Sequence, residues 1–236
     1  MQAFGLRYRQ GRTPPRQPVI AMYQPRHFEQ TAPEQLAALM QAHPLAMLMH
    51  TDANGELQAD PVPLLWQPGQ TPGIGWLTGH VARANPLWQA ADGKPVLAVF
   101  QGPQAYVSPN WYASKQTTGG KVVPTWNYAV VQARGRLQTF AEREPLLALL
   151  HALTDTHEAN QPHPWSVDDA PADYVDSLLK AIVGFRIEVT ELQGKWKVSQ
   201  NRPAADRAGV AHGLAALPET PAQAAAMARL VTGDTP

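Results

Sequence analysis

Short apolar runs separated by turn residues characterise the chain between residues 45 and 140. The run LAMLMHTD at 45–52 is typical of a buried strand, and Asn54-Gly55 after it is a strong hairpin signal. Further strands are predicted at 57–66, at 74–78, at 95–102 with a continuation at 106–108, and at 126–140 with a kink at Gly135. Strands at this spacing are typical of a small antiparallel barrel.

A period of three to four residues replaces this alternation elsewhere. The segment PEQLAALMQ at 33–41 places Leu36, Leu39 and Met40 on one helical face. Helices are also predicted at 83–91, 142–159, 172–182 and 222–231. Two strands, at 183–192 and 195–199 with a turn at Gly194, lie between the last two helices. The predicted class is α+β, with one antiparallel barrel and helices packed around it.

The amino-acid composition limits the kinds of functional site that the chain can contain. The 236 residues suit one large domain or a domain with an added subdomain, and the 44% hydrophobic share is enough for a sizeable core. The absence of cysteine excludes disulfides, cysteine-ligated zinc, iron–sulfur clusters and thiol nucleophiles. It also fits a reducing cytoplasm, which is the predicted location. No apolar run approaches the length of a membrane span.

The predicted domain organisation is a disordered basic leader at 1–21, a folded domain at 22–217 and a helical tail at 218–236. The leader holds four arginines, no acid and three prolines. The leader is either a basic arm that binds a polyanion, or an incorrectly early start of the sequence with Met22 as the true first residue. We favour the second, because Met22 opens a well-patterned segment. Without it, 15 basic residues face 19 acidic ones, which argues against strong non-specific DNA binding.

Five stretches resemble the PaiB-like FMN-binding proteins, a family named for a negative regulator of transcription. They are MYQPRHF (22–28), GHVARANPLW (79–88), FQGPQAYVSPNWY (100–112), VVPTWNYAVVQARGRL (122–137) and VGFRIEVTELQGKWKVSQNRPAADRAGVAHGL (183–214). The resemblance implies a six-stranded antiparallel split β-barrel, similar to that of pyridoxamine-phosphate oxidases. It also implies a homodimer with FMN between the subunits and a role in transcriptional regulation. The sequence itself contains no helix-turn-helix with a basic recognition helix.

FMN requires donors for its phosphate, an apolar slot for its ring system and polar groups at the ring edge. The segment 77–86 leaves a strand, passes a glycine turn and enters a predicted helix. In similar oxidases the matching turn carries the phosphate-binding basic residue. The resemblance therefore implies Arg83 as the phosphate ligand, with Thr78, His80 and Asn85 nearby. Alternatively, Arg83 is a solvated helix residue and Asn85 an ordinary turn residue.

Other polar and aromatic residues complete the predicted cofactor site. Trp126 either covers the flavin or fills the core, and Thr125 and Asn127 then face the opposite side of their strand. Arg202 either reaches a phosphate across the dimer or pairs with Asp206. The candidate cofactor-binding residues are Thr78, Gly79, His80, Arg83, Asn85, Ser108, Trp111, Lys121, Thr125, Trp126, Asn127, Gln200 and Arg202.

Common hydrolytic and nucleotide motifs are missing from the sequence. The eight histidines form no HExxH motif, and neither a GxSxG motif nor a P-loop occurs. No metal site and no catalytic acid or base is predicted. Four functions stay open: a flavin-binding regulator, a flavin oxidoreductase that uses NAD(P)H, a haem-binding or haem-degrading barrel, and a dimer that has lost its cofactor.

Overall fold

The computed structural model describes residues 22–70, 74–217 and 221–233. The predicted leader at 1–21 lies outside the described residues. The strands are β1 (Glu29–Gln30), β2 (Leu45–Thr51), β3 (Leu57–Pro63), β4 (Leu65–Pro68), β5 (Gly75–Ala82), β6 (Pro95–Val107), β7 (Thr125–Phe140) and β8 (Ile182–Lys197). The helices are α1 (Pro33–Ala42), α2 (Leu87–Ala91), α3 (Ser114–Thr117), α4 (Arg143–Glu158), α5 (Ala172–Leu179), α6 (Ala204–Ala215) and α7 (Pro221–Thr232).

All the strands belong to one antiparallel sheet. Its order is β3-β2-β6-β7-β8-β5-β4, and the two-residue β1 pairs with β8. Six of the strands have seven or more residues, which agrees with the six-stranded barrel that the resemblance implies. The predicted α+β class is confirmed.

A single residue joins the two edges of this sheet. β3 lies at one edge and β4 at the other, yet only Leu64 separates them in the chain. The Leu64 amide donates to the carbonyl of Pro44 over 2.9 Å, and its side chain is buried. A Cβ atom on Gly79 of β5 would lie 2.8 Å from Leu64 Cδ2 and 2.9 Å from the Pro63 carbonyl oxygen. The sheet therefore curls until its edges meet at this point, as in a split barrel.

The core fills the inside of the curled sheet. Burial alternates strictly along β2, so that Ala46 and Leu48 face inward while Met47 and Met49 face outward. The largest fully buried side chains on the inner side include Phe100 and Phe185. Burying a side chain of this size stabilises the fold by about 1.5–3 kcal/mol. The predicted apolar face of α1 packs against this core through Leu36, Leu39 and Met40.

The predicted turn at Gly194 is wrong. Gly194 lies within β8, which continues without interruption to Lys197. A Cβ atom there would lie 2.2 Å from Leu36 Cδ2 and 2.8 Å from the Gln30 carbonyl oxygen. Glycine is thus required by the close approach of α1 and β1, and no turn is involved.

The predicted helix at 83–91 is shorter than expected. β5 continues to Ala82, and α2 begins only at Leu87. The Arg83 amide donates to the carbonyl of Ala181 over 2.8 Å, which extends the β5–β8 pairing past the predicted end of the strand. Sheet hydrogen bonds from a distant segment therefore decide the conformation of this turn.

The last two helices pack together against β6. α7 buries Ala224, Met227 and Val231, and these three side chains belong to the main core. No helix in the described parts of the chain is both long and apolar enough to cross a membrane.

We expect Gly79→Ala to lower the free energy of unfolding by about 1–3 kcal/mol, because the added methyl group overpacks the point where the sheet edges meet. Urea denaturation measures this change. Ala82→Ser, at the exposed end of the same strand, is the control and should change the stability by less than about 0.5 kcal/mol. Equal stability of both variants would contradict the close contact at Leu64.

Candidate functional site

Several outward-facing apolar side chains of the curled sheet stay partly exposed. Met47 and Met49 are each 37% exposed, and they continue across the sheet into Val99 and Leu97 of β6. We call this surface the open sheet face. It comprises Met47, Met49, Leu97, Val99, Gln101, Tyr106, Trp126, Tyr128, Val130, Gln132, Arg134, Lys195 and Lys197. A contiguous apolar surface of this kind marks a binding site or a subunit interface.

Two aromatic rings stand at one end of the open sheet face. Tyr106 and Trp126 are paired across β6 and β7, with ring centroids 6.2 Å apart and an interplanar angle of 65°. The Trp126 indole Nε1 donates to Gln104 Oε1 over 3.1 Å, which fixes the orientation of the ring. Both rings are about half exposed. They offer a rigid apolar surface to a planar ligand.

A depression of about 300 Å³ lies beside these rings. A β-bulge between Gln101 and Gln104 breaks the β6–β7 register there. The lining residues are Val99, Gln101, Gly102, Gln104, Trp126, Tyr128, Ala129, Val130 and Gln132. This volume is at the lower end of the range for ligand pockets, so that the depression supplies only one side of a site for a large ligand.

Two polar atoms on the open sheet face are buried without a hydrogen-bond partner. They are Gln132 Oε1 and Arg134 Nε, and the latter lies 4.0 Å from Glu191 Oε2. A buried unsatisfied donor or acceptor costs about 1–3 kcal/mol, so a ligand or subunit that satisfies it gains that energy. An acceptor and a donor side by side on an apolar strip suit a planar heterocycle with both kinds of group at its edge.

The β8 side of the face, next to these rings, is cationic. Lys195 is only 6% exposed, and its Nζ donates to the carbonyl of Tyr23 over 2.7 Å. Lys197 Nζ donates to the carbonyl of Trp126 over 2.7 Å and to Thr125 Oγ1. Burial, with the positive charges of Lys195 and Arg202, holds the pKa of Lys197 below its usual value.

The predicted residues of β5 do not lie on the open sheet face. Thr78 and His80 face outward, but this part of the sheet lies beneath α4, because a Cβ atom on Gly184 beside His80 would meet Leu146 Cδ2 at 2.9 Å. Thr78 Oγ1 and His80 Nδ1 are buried there without a partner. Gly79 faces inward, toward Leu64.

Hydrogen bonds from Arg83 connect the turn after β5 to the segment at the start of β8. Its Nε donates to the carbonyl of Lys180 over 2.8 Å, and its Nη2 donates to the carbonyl of Ile182 over 3.0 Å. Its own carbonyl accepts from Trp88 Nε1 over 2.9 Å. Two of the three guanidinium nitrogens of Arg83 are therefore bonded to backbone carbonyls, although the residue is exposed, and its role as a phosphate ligand stays a prediction.

Asn85 belongs to a row of interacting polar side chains that also includes Asp60 and His50. Its Nδ2 donates to Asp60 Oδ1 over 3.0 Å, and its Oδ1 accepts from the Leu87 amide over 2.8 Å. Asp60 Oδ2 in turn lies 3.4 Å from Nε2 of the buried His50. A carboxylate beside Asn85 disfavours a phosphate at this position.

The predicted residues near the end of β8 make internal contacts. Ser108 Oγ accepts from the Asn110 amide over 3.2 Å. The fully buried Asn127 donates through Nδ2 to Ser199 Oγ over 2.9 Å. Gln200 Oε1 accepts from the Val198 amide over 2.8 Å. Their roles as flavin contacts stay predictions.

The remaining predicted residues differ in exposure. Trp111 packs its ring against Gly213 of α6, where a Cβ atom would lie 2.3 Å from the indole. Arg202 lies over the Tyr112 ring at 4.7 Å, and Lys121 is exposed. Trp126 lies on the open sheet face. Thr125 Oγ1 accepts a hydrogen bond from Lys197, which belongs to the same face.

The structure thus divides the predicted site into two groups at opposite ends of β8. The group from Thr78 to Asn85 lies beside Ile182, and the group around Trp126 and Arg202 lies beside Lys197. The 16 residues of β8 correspond to about 50 Å of extended strand. The two groups therefore lie far apart along β8.

Of the thirteen residues that define the open sheet face, sequence reasoning identified Trp126 as a site residue and missed the other twelve. Six of those twelve are Met47, Met49, Gln132, Arg134, Lys195 and Lys197. Polar residues at alternate positions of an otherwise apolar strand were an available signal for Gln132 and Arg134. The strand pairing that places all six on one face cannot be derived from periodicity alone.

Comparison with known sequences is consistent with this geometry. Residues 22–191 match the family described as "Putative FMN-binding domain". The chain is 32% identical over 186 residues to the Protease synthase and sporulation protein PAI 2 of Bacillus subtilis, covering 78% of this chain and 85% of that protein. It is 34% identical over 176 residues to an uncharacterized protein of Aspergillus fumigatus, covering 61% of this chain and 67% of that protein.

Comparison with solved structures identifies the fold. The Flavocytochrome Anf3 from Azotobacter vinelandii superposes with a TM-score of 0.50 at 14% identity, covering 72% of this chain and 69% of that chain. A conserved hypothetical protein from Mycobacterium tuberculosis superposes with a TM-score of 0.50 at 13% identity, covering 77% and 94%. The split-barrel fold is thereby confirmed.

The half-buried histidine of β5, His80, predicts a dependence of stability on pH. Burial lowers the pKa of His80 below its usual 6.5, and it also lowers the pKa of His43. As the pH falls through 6.5, these histidines therefore become protonated in the unfolded chain while they stay neutral in the folded chain. We expect the free energy of unfolding to fall as the pH drops from 7.5 to 5.5, with a slope of at most about 1.4 kcal/mol per pH unit for each histidine.

Urea denaturation at the two pH values tests this expectation. His80→Gln should reduce the loss of stability at low pH without abolishing it, because His43 contributes the remainder. His163→Gln, the same substitution at an exposed histidine, is the control variant. An unchanged pH dependence in His80→Gln would contradict the role of its burial.

Proposed function

The chain belongs to the PaiB-like family of FMN-binding split-barrel proteins, and on this basis we propose that it is a homodimer with FMN on the open sheet face between the subunits. The observation that carries the proposal is an exposed surface that combines an apolar strip, two aromatic rings and two buried polar atoms without a hydrogen-bond partner. The apolar strip and the aromatic rings suit the faces of a flavin ring system, and the polar atoms suit its edge.

The residues of the open sheet face fit the ring system of a flavin. Val99 and Val130 offer apolar contacts beside the depression, and Trp126 offers the face of its indole. Gln132 Oε1 accepts and Arg134 Nε donates, so that both kinds of polar group at the edge of an isoalloxazine find a partner. A bound flavin supplies electron transfer, whereas these residues bind it, orient it and keep water from one side of the ring.

A second subunit explains why the site is open. The depression of about 300 Å³ covers only one side of a planar ligand. The exposed Leu45, Met47 and Met49 extend the apolar surface beyond it, as expected for the core of a homodimer interface. Pairing of two such faces would bury this surface and enclose the ligand.

We further propose that the protein acts in transcriptional regulation through a partner protein. The regulatory role follows from the resemblance to the PaiB-like family. Residues 22–236 contain 15 basic and 19 acidic residues, so direct, non-specific DNA binding has little electrostatic support. None of the histidines in the described part of the chain belongs to the open sheet face, so an axial imidazole for a haem bound there would have to come from the second subunit.

We expect the purified protein mixed with FMN to elute as a dimer with retained flavin. Met49→Glu should weaken both dimerisation and flavin retention by about tenfold or more, because it places an unpaired charge in the proposed interface. Gel filtration with light scattering, combined with the visible absorption spectrum, measures both quantities.

Leu178→Glu is the matched control. Leu178 is a 47% exposed apolar residue on α5, away from the open sheet face, and its substitution should leave the dimer and the flavin unchanged. A monomeric wild-type protein that retains no FMN would refute the proposal. Steady turnover of NAD(P)H by the flavin-loaded dimer would assign an oxidoreductase activity instead of a purely regulatory role.

A further inference from the structure

A cavity of about 360 Å³ lies between α1 and α7, two helices that both pack against β6. Trp196 of β8 borders it, and because Trp196 alternates with Lys195 and Lys197 along the strand, its ring points away from the open sheet face. The volume is within the range of ligand pockets. We call this space the helix cavity; it is bounded by Leu39, His43, Trp196, Ala226, Arg229 and Leu230.

The walls of the helix cavity are mostly apolar and follow the length of α1. The wall formed by α1 extends from Glu34 to His43, which corresponds to about 13 Å along the helix axis. Ala226 and Leu230, one helical turn apart on α7, form the facing wall. An elongated apolar space between two helices suits an unbranched hydrocarbon chain.

A hydrogen-bond donor beside the helix cavity lacks an acceptor. Trp196 is only 8% exposed, and none of the described residues accepts a hydrogen bond from its buried indole Nε1. A buried N–H group without an acceptor is destabilising, and most such groups in folded proteins are paired. A ligand oxygen that reaches this N–H would remove the cost.

Two further donors border the same cavity. Arg229 is exposed, and no acid among residues 22–70, 74–217 and 221–233 forms an ion pair with it. His43 is half-buried, and burial holds its pKa below the usual 6.5, so that its neutral ring carries one N–H donor at pH 7. A carboxylate, which only accepts hydrogen bonds and matches the fork of a guanidinium, suits these donors.

The lining of the helix cavity contains one acid, Glu34. It lies in the first turn of α1, whereas His43 follows the last turn, so the two ends of this wall differ in polarity. Glu34 is exposed, and solvent and salt therefore screen its charge from a ligand. One screened acid does not outweigh three donors, and the lining favours an acid over an amine as the ligand.

We propose that the helix cavity binds a small carboxylic acid with an unbranched apolar chain. The chain lies between α1 and α7, and the carboxylate accepts hydrogen bonds from Arg229, with His43 and Trp196 as further donors. The inference is independent of the proposed function, because the helix cavity and the open sheet face have no residue in common.

Calorimetric titration of the full chain tests this proposal with octanoate, 1-octanol and acetate. We expect octanoate to bind about tenfold more tightly than 1-octanol, because only octanoate carries a charged acceptor for the guanidinium. Acetate, which lacks the apolar chain, should not bind measurably.

Arg229→Gln isolates the contribution of the charge. It should weaken octanoate binding about tenfold, to the level of 1-octanol, while the 1-octanol constant changes by less than about twofold. The unchanged 1-octanol constant shows that the cavity is still intact. Arg26→Gln removes an exposed arginine outside the cavity and should leave both constants unchanged.

Ala226→Leu isolates the contribution of the space. The larger side chain fills part of the helix cavity and should weaken octanoate and 1-octanol alike by about tenfold. Ala222→Leu, the same substitution at an exposed position of α7, is the matched control and should leave both constants unchanged.

Three results would overturn the proposal. The first is the absence of octanoate binding, and the second is octanoate binding that neither Arg229→Gln nor Ala226→Leu weakens, which would indicate adsorption elsewhere. The third is tighter binding of octylamine than of octanoate, lost in Glu34→Gln, which would assign the cavity to an amine. None of these results bears on flavin binding at the open sheet face.

Discussion

The one-residue connection at Leu64 determines the shape of this molecule. β3 and β4 lie at opposite edges of one sheet, and a link of a single residue cannot span an open sheet of this width. The sheet must curl until its edges meet, and this requires a glycine at position 79, where Leu64 and Pro63 approach the backbone of β5. Curling creates an enclosed inner side for the apolar core and an outer side that other groups must cover.

The outer side is covered unequally. α4 packs over the beginning of β8 near Gly184, whereas β2, β6 and β7 keep exposed methionines and aromatic rings. A chain that leaves such a surface uncovered loses stability that burial would supply. The unpaired atoms of Gln132 and Arg134 add to this cost. Costs concentrated on one surface are characteristic of a binding site, where a ligand or a second subunit compensates them.

The charges of the face differ from one end to the other. Met47 and Met49 lie toward one end of the face, Tyr106 and Trp126 lie at the other, and Lys195 and Lys197 lie on the β8 side next to the aromatic rings. A planar ring with polar groups at its edge matches this distribution of apolar, aromatic and polar groups. This correspondence links the family to the particular surface on which we propose that the ligand lies.

The sequence by itself determined the elements, the α+β class and the family, because alternation, helical periodicity and long motifs are local properties of the chain. The pairing of β7 with β8 shifts its register at Gly135, the position at which the sequence predicts a kink, and the kink itself stays a prediction. Gly194 was assigned to a turn because glycine has the same local signature in a turn and at a close contact. Only the neighbouring Leu36 decides between them.

The arrangement of the site was decided by the tertiary structure alone. Strand pairing places Met47, Val99 and Gln132 in one row, although these residues are far apart in the chain. Long-range hydrogen bonds tie the exposed Arg83 and the buried Asn127 to distant parts of the chain, although both carry groups suited to a ligand. The identity of a side chain fixes what it can bind, but register and packing fix which neighbours it meets, and these depend on the whole sheet.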